Sequence, residues 1–324
     1  MPDRVRLNSG TLGRPRPPAH DYAARFRHGA TFLIDAIALM ARDPKLLRRA
    51  LVPALVFLGI LALVAKAELE PSAEDPSPSY WRSFYVVIIA SAGVSPIVFT
   101  KSYARLAAHA RLSAGFDPVD PFLRGYGEAA WEAVLQLFGL GLYLAPILGL
   151  LERFPVVGVA VGAVLTFAWA SHWSTVEALD AARPAPEQAA EEAKGAAQRR
   201  PWFARQPEDD GPLASLRPLT FLPTLWGRMV CGTFRRWFGE IAFMEARPAT
   251  SLGFTVAVAL VLLVPVLNLF ARPLTVMAAS LWMAHEELAD ANEATRHDPL
   301  GASAHPDAAT PALSPAAPDA RPPA

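Results

Sequence analysis

Cysteine is all but missing from this chain. Cys231 stands alone in 324 residues, which excludes an internal disulfide and any multi-thiolate metal site. Net charge is missing as well. Basic and acidic side chains number 30 each, so no overall field points to nucleic acid or to an acidic substrate. No Gly-rich phosphate loop, Gly-x-Ser-x-Gly elbow, Cys–His pair or His-Glu-x-x-His spacing occurs. His172 near Glu177, and His285 beside Glu286 and Glu287, sit near helix ends where histidine is ordinary. The chain therefore reads as non-enzymatic, without cofactor or metal. It also lacks a signal peptide, because about fifty Arg- and Pro-bearing residues precede the first apolar run.

Certain stretches lack charge almost entirely. Ala50–Ala65, Phe84–Thr100, Val134–Leu151 and Phe154–Trp173 are such runs. A fifth, Leu252–Met283, is broken only by Asn268 and Ala271-Arg272-Pro273. A bilayer demands such runs, whereas water-soluble folds rarely do. The expected fold is an all-α integral membrane protein: a polytopic helical bundle of full spans and tight helical hairpins, the hairpins spanning or re-entrant.

Charge sorting sets the expected topology. Residues 1–20 are Arg/Pro-rich and read as a disordered tail; residues 21–286 form the membrane domain. Asp21–Met40 is amphipathic and reads as a surface helix leading to the first span. Arg42, Lys45, Arg48 and Arg49 precede that span and mark the cytoplasmic side. Glu68, Glu70, Glu74 and Asp75 follow it on the outer side. Val134–Leu151 and Phe154–Trp173 form a hairpin joined by Glu152-Arg153; segments 252–270 and 274–286 form a second, with Arg272 at its tip. Between the hairpins lie a cytoplasmic linker, residues 183–223, holding one short helix near Glu187–Gln198, and an amphipathic helix, residues 225–246. That helix aligns Trp226, Val230, Phe234, Trp237, Ile241 and Met244 on one face, to lie on the inner leaflet or pack on the bundle. Residues 287–324 form an inner tail, disordered after residue 300. Only Lys66, Arg82, Arg153 and Arg272 fall outside, leaving 26 of the 30 basic residues inside. Both termini are thus expected in the cytoplasm. The Arg/Ala-rich composition points to a bacterium, and hence to its inner membrane.

Prolines 146, 155, 265 and 273 flank the two hairpin tips, where missing N–H donors favour bends. Segment 274–283 is about 15 Å of helix, half a hydrocarbon core of about 30 Å. It spans only by recruiting Ala284, His285 and Glu286, or it is a half-helix.

With these elements in place the chain resembles the CysZ-like sulfate permease family, which shares its domain with the etoposide-induced membrane protein. The match is carried by Leu252-Gly253-Phe254, Val264-Pro265-Val266-Leu267-Asn268-Leu269, Pro273, Ala278-Ala279 and Leu281-Trp282. Phe26, Gly29, Pro44 to Pro53 around Arg48 and Arg49, Pro155-Val-Val-Gly158 and Glu177-Ala-Leu-Asp180 follow the family order. Lys45 and Leu47 depart from it, standing where the permeases usually carry glycine and arginine. The resemblance implies two full spans plus re-entrant pairs, an oligomer, and passive movement of sulfate.

Five polar residues are candidates for a substrate path: Arg153, Arg272, Asn268, Arg48 and Arg49. If the hairpins span fully, Arg153 and Arg272 snorkel at the outer interface. If they are re-entrant, both lie deep and must face a watery cavity, where two guanidiniums can hold an oxyanion. Asn268 reads as interhelical glue or pore lining, and Arg48 and Arg49 as topology anchors or anion-capturing groups. A passive permease or channel for a small anion is the leading expectation. A non-transporting scaffold, binding lipid or partner proteins through its cytoplasmic segments, is the alternative. Membrane lipids are partners in both.

Overall fold

The computed structural model describes residues 15–68, 80–151, 153–184, 201, 229, 231–263 and 265–297. Outside them lie the tail before residue 15, Glu70, Glu74, Asp75, Glu152, Trp226, Val230, most of the linker with its expected helix at 187–198, and the tail after 297.

The described elements are helical. They are α1 (Tyr22–Arg42), α2 (Pro44–Glu68), α3 (Tyr80–Ser113), α4 (Tyr126–Leu151), α5 (Pro155–Ala181), a 3-10 turn (Arg235–Trp237), α6 (Phe238–Glu245), α7 (Pro248–Leu263) and α8 (Pro265–His297). Four of these helices open on proline, whose fixed φ suits the first turn and whose missing N–H has no helical partner to lose. Asp21 caps α1 by accepting from Ala24 N at 2.8 Å. Asp43 is shared. Its N–H closes α1 on Leu39 O, its carboxylate accepts from Lys45 N at 2.8 Å to open α2, and Ser113 Oγ at the end of α3 donates to it at 2.7 Å. Gly115, at φ 85°, ends α3 in a Schellman turn, with Phe116 N on Arg111 O and Gly115 N on Leu112 O.

Helix α8 is the centre of the bundle, packed by α1, α2, α3, α5 and α7. From Leu274 to Trp282 every side chain is buried, and Trp282 lies among Phe32, Phe243 and Phe254. A second aromatic group, Trp169, Trp173, Phe234 and Trp237, fastens the segment before α6 to α5. The apolar face at Phe234, Trp237, Ile241 and Met244 is therefore covered by protein. Arg235–Trp237 interrupts that helix as a 3-10 turn.

Helices α1 and α7 cross without room for side chains. A Cβ on Gly29 would stand 2.0 Å from Thr250 O, and one on Gly253 would stand 1.9 Å from Phe26 O.

Three features differ from the sequence reading. First, α8 runs unbroken through Pro273, and the break comes earlier, between Leu263 and Pro265. Proline at the first helical position starts a helix there, while Pro273 is carried within one. Second, residues 15–18 are not loose. Arg16 reaches Glu286 at 3.0 Å and Asp290 at 3.1 Å, and its charge offsets that acidic stripe of α8. Third, Arg272 is not at a hairpin tip. It lies inside α8, where its guanidinium pairs with Glu177 of α5 and sits 5.9 Å over the Tyr103 ring of α3.

Two helices turn apolar faces outward. Among the described residues, Val156–Ala181 is long and apolar enough to cross a membrane, with only 17% of its window buried. Val156 is 84% and Val159 73% exposed, unlike a helix in a water-soluble core. The pair Cys231–Glu245 and Pro248–Leu263, bent by 108°, meets the same test together. Leu252, Val256, Leu260 and Leu263 of α7 point outward as one stripe.

Candidate functional site at the junction of α3, α4, α5 and α8

Opposite charges converge where the charge-free runs end. Arg124, in the loop after α3, donates to Glu132 of α4 at 3.0 Å and to Asp180 of α5. Arg236 pairs with Glu128 at 2.9 Å and also with Glu132. Arg183 pairs with Glu240 of α6. Arg272 pairs with Glu177 one turn away from Asp180. Burying these carboxylates unpaired would be costly, so each is matched by a guanidinium.

Within this network lies a cavity of about 30 Å³, room for water-sized groups. Arg124, Arg272, Glu132, Glu177 and Asp180 line it, together with Thr100, Tyr103 and Gln136. The Nε groups of Arg124 and Arg272 are buried and donate to no described residue. The site thus holds two guanidiniums with unused donor capacity, each restrained by carboxylates.

Burial pushes Glu132, just outside the charge-free run of α4, up to about 7 against the pull of Arg124 and Arg236; Asp180 and Glu128 push the same way. Burial and then Asp180 likewise push Glu240 up to about 7, opposed by Arg183 and Arg124. Arg124 is raised: burial works against its charge, but Asp180 and Glu132 outweigh it.

A pH dependence follows. Both acids bind protons more tightly folded than unfolded, so their linkage favours the folded state at low pH and fades as pH rises from about 4.5 to about 7. In detergent, the wild-type melting temperature should fall across that window more steeply than in Glu132→Gln with Glu240→Gln. Parallel curves would remove these two groups as its source.

The sequence-derived candidates are dispersed. Arg153 is exposed between α4 and α5, and Arg48 and Arg49 are exposed on the first turns of α2. The Asn268 side chain lies outside the described ones. Glu177, the partner of Arg272, stands 24 residues beyond Arg153 along α5, about 36 Å at about 1.5 Å per residue. Arg153 and Arg272 therefore cannot hold one ion together. Arg124, Glu132 and Asp180 were not singled out for function. The available signal was their position at the ends of the charge-free runs, where a charge has both water and protein within reach.

Depth differs between the hairpins. Arg272 over Tyr103, Ser280 Oγ onto Ala107 O at 2.8 Å and Arg111 onto Glu287 show that α3 and α8 run in the same direction. Tyr103 lies about 34 Å from the start of α3, but Arg272 only about 10 Å from the start of α8. The α7–α8 turn thus stands level with the middle of α3.

Among the described residues, no three His, Cys, Asp or Glu side chains come together to hold a metal ion. The described residues form an all-α helical bundle with one clear apolar span among them. No protein-family model, curated protein or solved structure matches it.

Proposed function

We propose that the chain is a polytopic membrane protein that passes a small anion, with the Arg124–Arg272 cavity as its binding step. Membrane placement is supported by the exposed valines of α5 and by the dimensions of α4. Exposed Tyr126 and Trp131 stand at one end of α4, where interfacial aromatics belong. Val134 to Leu151 then covers about 26 Å, close to a hydrocarbon thickness of about 30 Å. In this reading α2 to α5 cross, and the α7–α8 turn enters only partway. Among the described helices that gives four crossings and one shallow hairpin, where the sulfate permease resemblance implies two full spans.

The anion reading rests on the cavity's paired guanidiniums. Arg272 and Arg124 offer fixed positive charge and buried N–H donors at the inner ends of the helices, and Glu177 and Asp180 occupy them in place of an anion. An oxyanion displacing a carboxylate would find the same geometry. Weak, replaceable holding lets the ion leave, as conduction requires. The resemblance to the sulfate permeases supports an oxyanion as cargo.

Labelled sulfate uptake into proteoliposomes tests this. Wild type should exceed protein-free vesicles, and Arg272→Gln with Glu177→Gln, which removes both charges and leaves neither stranded, should lose at least about tenfold. Arg153→Ala, on the far side of the bundle, should retain flux. Wild-type flux no higher than that of empty vesicles would overturn the proposal. That outcome favours a non-transporting scaffold, a reading supported by the carboxylate pairing of every guanidinium in the network.

A further inference from the structure

Seven of the described arginines are held by acidic partners. Arg16, Arg111, Arg124, Arg183, Arg236, Arg247 and Arg272 each hold a carboxylate. At the corner of α1, α2 and α3 the opposite holds: Arg42, Lys45, Arg48, Arg49 and Arg105 are exposed, and none forms an ion pair among the described residues. Asp43, between Arg42 and Lys45 in sequence, is already engaged by Ser113 Oγ, by the Lys45 and Leu46 amides and by His109 at 3.5 Å. It leaves the five cations uncompensated.

Geometry gathers them. Asp43 touches Ser113 and His109, so the start of α2 lies against the end of α3. After desolvation, the field of Arg49 is the largest influence lowering the proton affinity of His109, and Lys45 adds to it, so both cations lie near that ring. Arg105 is one turn before His109 and shares its face. Beyond the cations the same faces turn apolar. Val52, Leu55 and Val56 on α2 and Val98 on α3 are exposed. Lys45 to Val56 covers about 16 Å. Positive charge at one end of a stripe and bare hydrocarbon at the other is the pattern of one amphiphile with an anionic head.

We propose that Lys45, Arg48, Arg49 and Arg105, flanked by Arg42, bind the phosphate headgroup of an anionic phospholipid whose acyl chains lie along Val52, Val56 and Val98. A free anion would need an enclosed site. This one is open to the side and continuous with the apolar surface. The inference rests on the membrane placement proposed above and is independent of anion passage.

Native mass spectrometry of the detergent-solubilised full chain, given equimolar phosphatidylglycerol and phosphatidylcholine, tests it. Wild type should retain phosphatidylglycerol preferentially. Arg49→Gln and Arg105→Gln should each lower that preference about fivefold, the equivalent of about 1 kcal/mol per cation near an anionic surface. Arg49→Lys with Arg105→Lys should keep it, and all variants should melt with wild type because the positions are exposed. Equal adducts of both lipids in wild type, an unchanged preference in the glutamine variants, or displacement of phosphatidylglycerol by inorganic phosphate but not by chloride at matched ionic strength would each overturn the site. Equal adducts would leave membrane placement standing. Solubility without detergent and no lipid adducts would overturn both.

Discussion

Arg124→Ala should be among the most destabilising single substitutions in this protein, by about 3–5 kcal/mol. The side chains of Arg124, Glu132 and Asp180 are 8%, 8% and 4% exposed, so truncating the arginine takes a cation from two carboxylates held away from water. Glu132 keeps Arg236, but Asp180 loses its only ion-pair partner among the described residues. The charge stranded, more than the attraction removed, sets the size of the effect. Arg124→Ala combined with Asp180→Asn should therefore recover a large part of the loss, although it removes more polar contacts than the single change. Denaturant or thermal unfolding in detergent measures both. If the double variant were as unstable as the single one, desolvated charge would not be the cause, and the lost contact of the Arg124 guanidinium with the Phe122 ring would take its place.

The second large effect belongs to the α1–α7 crossing. Alanine normally improves on glycine inside a helix by roughly 0.5–1 kcal/mol. At Gly29 and Gly253 the sign should reverse. The new methyl would meet backbone carbonyl oxygens at 2.0 and 1.9 Å, and a carbonyl in a helix cannot turn aside as a side chain can. The helices must part, opening gaps beside Phe32, Phe254 and Trp282. Overpacking of this kind costs about 1–3 kcal/mol, and valine at either position should exceed that range. Gly59→Ala supplies the control, because nothing lies within 4 Å of its added methyl. It should be neutral or slightly stabilising. Stabilisation at Gly29 or Gly253 would show that the two helices are not held at this distance in solution.

Legibility from sequence followed the range of the forces involved. The helices were visible because an apolar run long enough for a bilayer has few other uses. The break between α4 and α5 was visible because the missing N–H of Pro155 acts locally. The α7–α8 break was misplaced because two prolines, Pro265 and Pro273, compete for it, and local chemistry alone does not choose between starting a helix and sitting inside one. Packing around α8 makes the choice. Arg272 was misassigned for the same reason, since its depth depends on a partner 95 residues away. The motif residues told more together than apart. Phe26 meets Gly253, and Gly29 meets Thr250 and Phe254, across the α1–α7 crossing, contacts that spacing along the chain does not reveal. Arg124, Glu132 and Asp180 were hidden because surface charges and network charges look alike until the fold brings them together.

The place of α8 has a bearing on biogenesis. The helix that touches five others is also the last of the described helices to leave the ribosome. Until it arrives, α1, α3, α5 and α7 surround an unfilled groove lined by Phe32, Tyr103, Val176 and Phe254. In the membrane placement proposed above, the earlier helices enter the bilayer first and the assembly closes only when its keystone slides in, so maturation is expected to be post-translational and the half-built form a natural client for quality control.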